Sequence, residues 1–119
     1  MKTKTKTKHK TKVKHTFTVY SISINGLIRY IGRTSNLKVR TRQHRNACYN
    51  PNHKEYNKQF YQEFRKIYPE KRDIILTPIK TFNSKTDSKR YELYLILHNY
   101  FFEKDNLFQR IPNISDKFL

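Results

Sequence analysis

An Asn-Gly pair at positions 25 and 26 follows the run FTVYSISI from Phe17 to Ile24, which is β-branched, aromatic and alternating. Asn-Gly between two such runs is the strongest short-range hairpin signal, because both residues tolerate the positive φ angles of a tight turn whose twist suits paired strands. Leu27 to Gly32 is then the returning strand, so whatever this chain folds into contains that hairpin. Gly26 and Gly32 are the two glycines of the chain. Each marks a backbone position where a side chain is unwelcome.

Beyond Gly32, Arg33-Thr34-Ser35-Asn36 supplies N-cap side chains, and Leu37, Arg40, His44 and Ala47 then recur at the spacing of one helical face. Asn50-Pro51-Asn52 breaks that helix. A second, from about Lys54 to Tyr68, carries Phe60, Phe64, Ile67 and Tyr68 as an ordinary core stripe and stops at Pro69. Asp73 to Phe82 reads as a third strand, and Pro78, which cannot donate to a ladder, requires a bulge or an unpaired edge. Asn83 to Asp87 is cap chemistry, and a last helix, about Asp87 to Phe102, is apolar nearly all round, which predicts a sandwiched position. The expected fold is α/β, a small three-stranded, mostly antiparallel sheet flanked by three helices in the order ββααβα.

Composition limits the function. The 119 residues allow one domain, and 26 Lys+Arg against 9 Asp+Glu give a formal charge of +17, which excludes an acidic-substrate scavenger or a halophilic surface and makes a polyanion the first partner. Hydrophobic residues at 35% and aromatics at 14% are too many for a disordered basic protein, so a folded core is expected. Lys fills every even position from Lys2 to Lys14. Residues 1–15 therefore read as a disordered cationic arm, since seven like charges on one strand face repel; an edge strand is the alternative, and residues 16–119 form the domain. The one Cys, Cys48, makes no internal disulfide and fits a reducing, intracellular setting, cytoplasmic or nuclear. No secretory or membrane-spanning stretch is expected.

Glu92 stands out among the nine acids because it lies inside an apolar helix. A buried, unpaired carboxylate costs several kcal/mol, roughly, so its presence points to a metal or cation partner, or else to a surface pair with Arg90 or a neighbouring Lys. Arg40 and His44, four apart, share a face with Leu37 and Ala47, which must look at the core. An inward Arg suits a phosphate, whose oxygens match its fork, or a salt bridge to Glu92. Arg33, Arg42, Arg45 and His53, together with Lys12 and Lys14 of the arm, are candidate nucleic-acid contacts.

Thr18-Val19-Tyr20 on the first strand and Tyr30-Ile31-Gly32 on the second, followed by Arg40, His44 and Glu92 in that order, resemble the GIY-YIG nuclease family over roughly Phe17 to Asn113. The first tripeptide departs from Gly-Ile-Tyr but keeps its Tyr. Asn106, or alternatively Asn113, would match the family's terminal Asn, and His53 a second His found in some members. The resemblance implies a DNA endonuclease with catalytic Tyr20, Tyr30, Arg40, His44 and Glu92, one divalent metal (Mg²⁺ or Mn²⁺) on Glu92, and Tyr-assisted attack of water. No membrane and no small-molecule cofactor are expected as partners. Tyr at its usual pKa of ~10 is a poor base, so a cation must lower it, and Arg40, His44 or the metal are the candidates. Which Tyr takes the proton stays open, the resemblance favouring Tyr20. One Glu92 per chain means that a double-strand break needs a homodimer or two successive nicks. The competing reading is a non-catalytic basic nucleic-acid-binding module with stacking aromatics.

A shared site also constrains the hairpin. A plain two-residue turn pairs Tyr20 with Ile31 and puts Tyr20 and Tyr30 on opposite faces. A three-residue loop pairing Ser23 with Leu27, or an equivalent bulge between the two tyrosines, is therefore expected, with both phenols on the face that Arg40 and Glu92 meet.

Overall fold

The computed structural model describes residues 15–102. In chain order they form β1 (Phe17–Ile24), β2 (Leu27–Thr34), α1 (Leu37–Tyr49), α2 (Gln59–Ile67), a 3₁₀ turn at Lys71–Asp73, β3 (Thr77–Phe82) and α3 (Lys85–Phe102). The strands make one antiparallel sheet in the order β2-β1-β3. This is the expected α/β arrangement, ββααβα. The cationic arm with Lys12 and Lys14, and both Asn106 and Asn113, lie outside the described residues.

Asn25 and Gly26 both adopt positive φ, 53° and 80°, and close a two-residue turn that pairs Ile24 with Leu27. The longer loop does not form: the local preference of Asn-Gly sets the turn. The face requirement is met one step further on. Ser23 pairs with Ile28 but Ile22 pairs with Tyr30, so Arg29 is an extra, bulged residue. Tyr20 then lies opposite Gly32, and Tyr30, opposite Ile22, shares its face. The turn is tied down from outside, the Asn25 amide donating to the Tyr68 hydroxyl at 3.0 Å and the Tyr49 hydroxyl donating to the Tyr68 carbonyl at 2.6 Å.

Layers form on both sides of β1. Tyr20, Ile22 and Ile24 pack with Ala47, Cys48, Phe60, Tyr61 and Phe64 beneath α1 and α2. Val19 and Ile31 pack with Ile96, Tyr91 and Leu95 of α3 on the opposite face. Glu92 consequently comes from the helix that covers the other face, not the face of the two tyrosines. β2 is an edge strand, so a single strand separates the two sides there.

Several features differ from the sequence expectation for physical reasons. Residues 54–57, expected to open the second helix, are turns, because the Asn50 side chain accepts from the Asn52 amide and His53 Nδ1 from the Glu55 amide, bonds that compete with helical ones. In α2, Tyr61 takes an inward position and Ile67 is exposed, which shifts the core stripe. Ile74 to Leu76 stay outside the ladder. Arg45 accounts for this, since its Nε and Nη2 donate to the Ile74 carbonyl at 3.3 and 3.0 Å and Nη2 reaches the Arg72 carbonyl at 3.3 Å. Pro78 produces its bulge, Val19 pairing with Lys80 but Tyr20 with Pro78. Finally, α3 starts at Lys85, with the Ser84 hydroxyl accepting from the Asp87 amide at 3.1 Å, and it is not sandwiched. Leu93 and Ile96 are buried while Tyr94 is 59% exposed, its ring lying between Tyr91 and His98 at 6.4 and 5.9 Å. A tyrosine can face water because its hydroxyl stays hydrated while its ring packs on neighbours.

Candidate active site

Tyr20 comes from the middle of the central strand, where its side chain lies across Gly32 of the opposing strand. A Cβ at position 32 would stand 2.5 Å from the Tyr20 hydroxyl oxygen and 2.6 Å from the carbon bearing it, so only glycine leaves room for the phenol. The Tyr20 hydroxyl meets His44 Nε2 at 2.7 Å, and His44 Nδ1 meets the Tyr61 hydroxyl at 2.8 Å. Tyr30 stacks at 6.4 Å from the Tyr20 ring and stands edge-on to His44 at 5.2 Å. Asn36 starts α1 by accepting from the Val39 amide at 3.1 Å, which sets the helical phase that turns Arg40 and His44 towards the sheet.

Tyr30, Arg40 and His44 open on a cavity of about 650 Å³, closed on its other side by His53, Lys54, Glu55 and Lys58 of the loop and by Phe60 and Tyr61 of α2. Arg65 holds that loop in place. Its Nη1 donates to the carbonyls of Cys48 and Tyr56 at 2.7 and 2.8 Å, and its guanidinium lies 3.7 Å over the Tyr56 ring. Arg40, Lys54 and Lys58 make the cavity cationic, with Glu55 paired to Lys58 at 3.4 Å as the counter-charge. Tyr20 is inaccessible to solvent and sits behind this wall.

Burial dominates the protonation of the cluster. It raises the Tyr20 phenol, with the neighbouring Tyr30 adding to the rise and Arg40 opposing it. Tyr30 is raised by burial too, against Arg40 and with Glu92 adding to the rise. His44 is pushed down to about 4, first by burial and then by the Arg40 charge. His44 is therefore neutral near pH 7 and supplies no cation to activate a phenol. The expected lowering of a Tyr pKa comes from Arg40 alone of the two side chains, and burial outweighs it.

Glu92 is half-buried and its Oε1 lies 3.5 Å from Arg33 Nε, an ion pair outside hydrogen-bond geometry. Arg33, expected as a nucleic-acid contact, thus stands beside the carboxylate. Arg42 is exposed on α1 next to a smaller cavity of about 400 Å³, whose wall Arg45 shares. Arg45 is held by backbone carbonyls, and His53 lines the large cavity. Tyr61 is the member of the cluster that the helical pattern hides, because it neighbours Phe60 and reads as core. Its signal is chemical: a buried tyrosine hydroxyl needs a partner.

The family model of the GIY-YIG catalytic domain matches residues 13–104. The chain belongs to the GIY-YIG family. No curated protein and no solved structure matches it significantly. GIY-YIG domains are nucleases, and they generally use divalent metal ions. Among the described residues, no three His, Cys, Asp or Glu side chains stand together as a metal cage. A single part-exposed carboxylate nevertheless fits a hard divalent cation that keeps several waters and takes its remaining oxygens from substrate phosphate. Also among the described residues, no helix of this GIY-YIG domain is long and apolar enough to cross a membrane.

Proposed function

We propose that this GIY-YIG domain is a DNA endonuclease that hydrolyses phosphodiester bonds, with Glu92 holding one Mg²⁺ or Mn²⁺ ion. The observation that supports this reading best is the gathering of Tyr20, Tyr30, Arg40 and His44 from two strands and a helix at one cationic cavity. A phosphodiester is anionic and repels nucleophiles, so its hydrolysis needs neutralising charge and a placed water. Arg40 meets the phosphate with its fork. Tyr30, at the cavity wall, orients the water by hydrogen bonding, while Tyr20 behind it shares its proton with His44. The ion, when bound, supplies charge neutralisation and polarises the phosphoryl group. Arg33 keeps the Glu92 carboxylate oriented from the strand side.

A specific observation favours a second reading. Because Arg33 already compensates Glu92, the carboxylate does not by itself demand a metal, and a basic nucleic-acid-binding module could retain it. Supercoiled plasmid incubated with the protein and Mg²⁺ separates the two. The nuclease reading expects nicked or linear product, with Glu92→Ala and Arg40→Ala each losing on the order of 10²-fold or more in cleavage rate while DNA binding persists. Intact plasmid at every metal tested leaves the binding module. Linear product appearing without a nicked intermediate indicates paired copies; nicks first indicate successive cuts.

A further inference from the structure

Three buried groups in a row, Tyr20, His44 and Tyr61, are joined by two short hydrogen bonds, and the direction of each bond can be worked out. Tyr20 has no solvent contact, so its own proton goes to the atom 2.7 Å away, His44 Nε2. A neutral imidazole carries one proton, and with Nε2 accepting, that proton sits on Nδ1. Nδ1–H then donates to the Tyr61 oxygen at 2.8 Å. The reverse arrangement would point the Tyr20 proton at nothing, a buried donor left unsatisfied.

We propose that Tyr61 is a positioning residue for the reaction: its hydroxyl, accepting from His44 Nδ1–H, holds the Nε2 lone pair on the Tyr20 hydroxyl. This rests on the nuclease reading for its catalytic consequence, though not for its geometry. With the ring so fixed, the Tyr20 proton is held on the line to Nε2, and the phenol oxygen keeps its lone pairs clear of it for the side of Arg40, whose charge acts on that oxygen. Tyr61 itself neither gains nor loses a proton and touches no reacting atom.

The test is the protonation pattern of His44 in the full chain, read by ¹⁵N NMR on histidine-labelled protein near neutral pH, with His44→Gln assigning the signals. The wild type is expected to show an unprotonated Nε2 and a protonated Nδ1. Tyr61→Phe, which removes only the hydroxyl, is expected to average the two nitrogen shifts and to lower kcat by about 10- to 100-fold, as loss of a histidine-orienting partner does at metal sites, with KM unchanged. A protonated Nε2 in the wild type overturns the proposal before any variant is made. Unchanged His44 shifts in a folded Tyr61→Phe, or unchanged kcat despite altered shifts, also overturn it. A wild type that cleaves no DNA while showing the expected nitrogen pattern overturns the nuclease reading and supports Tyr61's hold on His44.

Discussion

Gly32 carries more of the site than its size suggests, since the Tyr20 phenol occupies the space where its side chain would be. Gly32→Ala is expected to drive the phenol off His44 and to cost about 1–3 kcal/mol of stability, the usual range for overpacking, with cleavage falling alongside. Urea melts and the plasmid assay check both; an unmoved midpoint would mean that the strands part easily. His44 makes a second expectation. Its folded pKa, about 4, lies below the ordinary histidine value of 6.5, so the unfolded chain binds a proton that the folded chain refuses. Stability attributable to His44 is full above about pH 6.5 and is lost as pH falls towards 4. That loss is up to about 3 kcal/mol, read as the excess acid sensitivity of wild type over His44→Gln. Parallel curves would contradict it. Arg40, Glu55 and Lys58 bear on the same ring, Glu55 opposing the two cations.

At the scale of elements, much was legible because each element had a local cause. The alternating run and Asn25-Gly26 predicted the hairpin, Asn36 the start of α1, and Pro78 the bulge on β3. The residues Tyr20, Tyr30, Arg40 and His44 were legible from their order, and the structure brings them together. What was not legible depends on distant partners. Nothing near Ile74 in sequence announces that Arg45, from α1, takes its carbonyl, and nothing near Tyr61 announces His44. The outward Tyr94 was missed because an apolar periodicity cannot tell a tyrosine that packs along the surface from one that packs inside. Arg45→Met should accordingly cost about 1–3 kcal/mol, the range for leaving a buried acceptor unmet, while DNA affinity per folded molecule stays near wild type. An affinity loss in a fully folded variant would instead make Arg45 a DNA contact.

The whole molecule is governed by its charge, +17 over 119 residues. Phosphate contacts release counterions, so binding should weaken steeply with salt. Deletion of residues 1–15, which removes seven Lys, should weaken binding equally on unrelated sequences and make the slope of log K against log salt shallower by up to ~6. Filter binding across salt concentrations measures this. A truncated chain that unfolds would show that the segment belongs to the sheet, contrary to its reading as an arm.

The bulge at Arg29 bears on how other chains should be compared with this one. Take Arg29 away and the remaining pairs, Ile24 with Leu27, Ser23 with Ile28, Ile22 with Tyr30 and Tyr20 with Gly32, form an unbroken ladder with the two phenols where they are now. The number of residues between the tyrosines is thus free to change by one without changing the chemistry they face. A search keyed to the length of that interval would discard chains whose hairpin is one residue shorter, although their hydroxyls stand side by side in the same way. What such hairpins have in common is the face of the sheet their tyrosines share, not the interval between them.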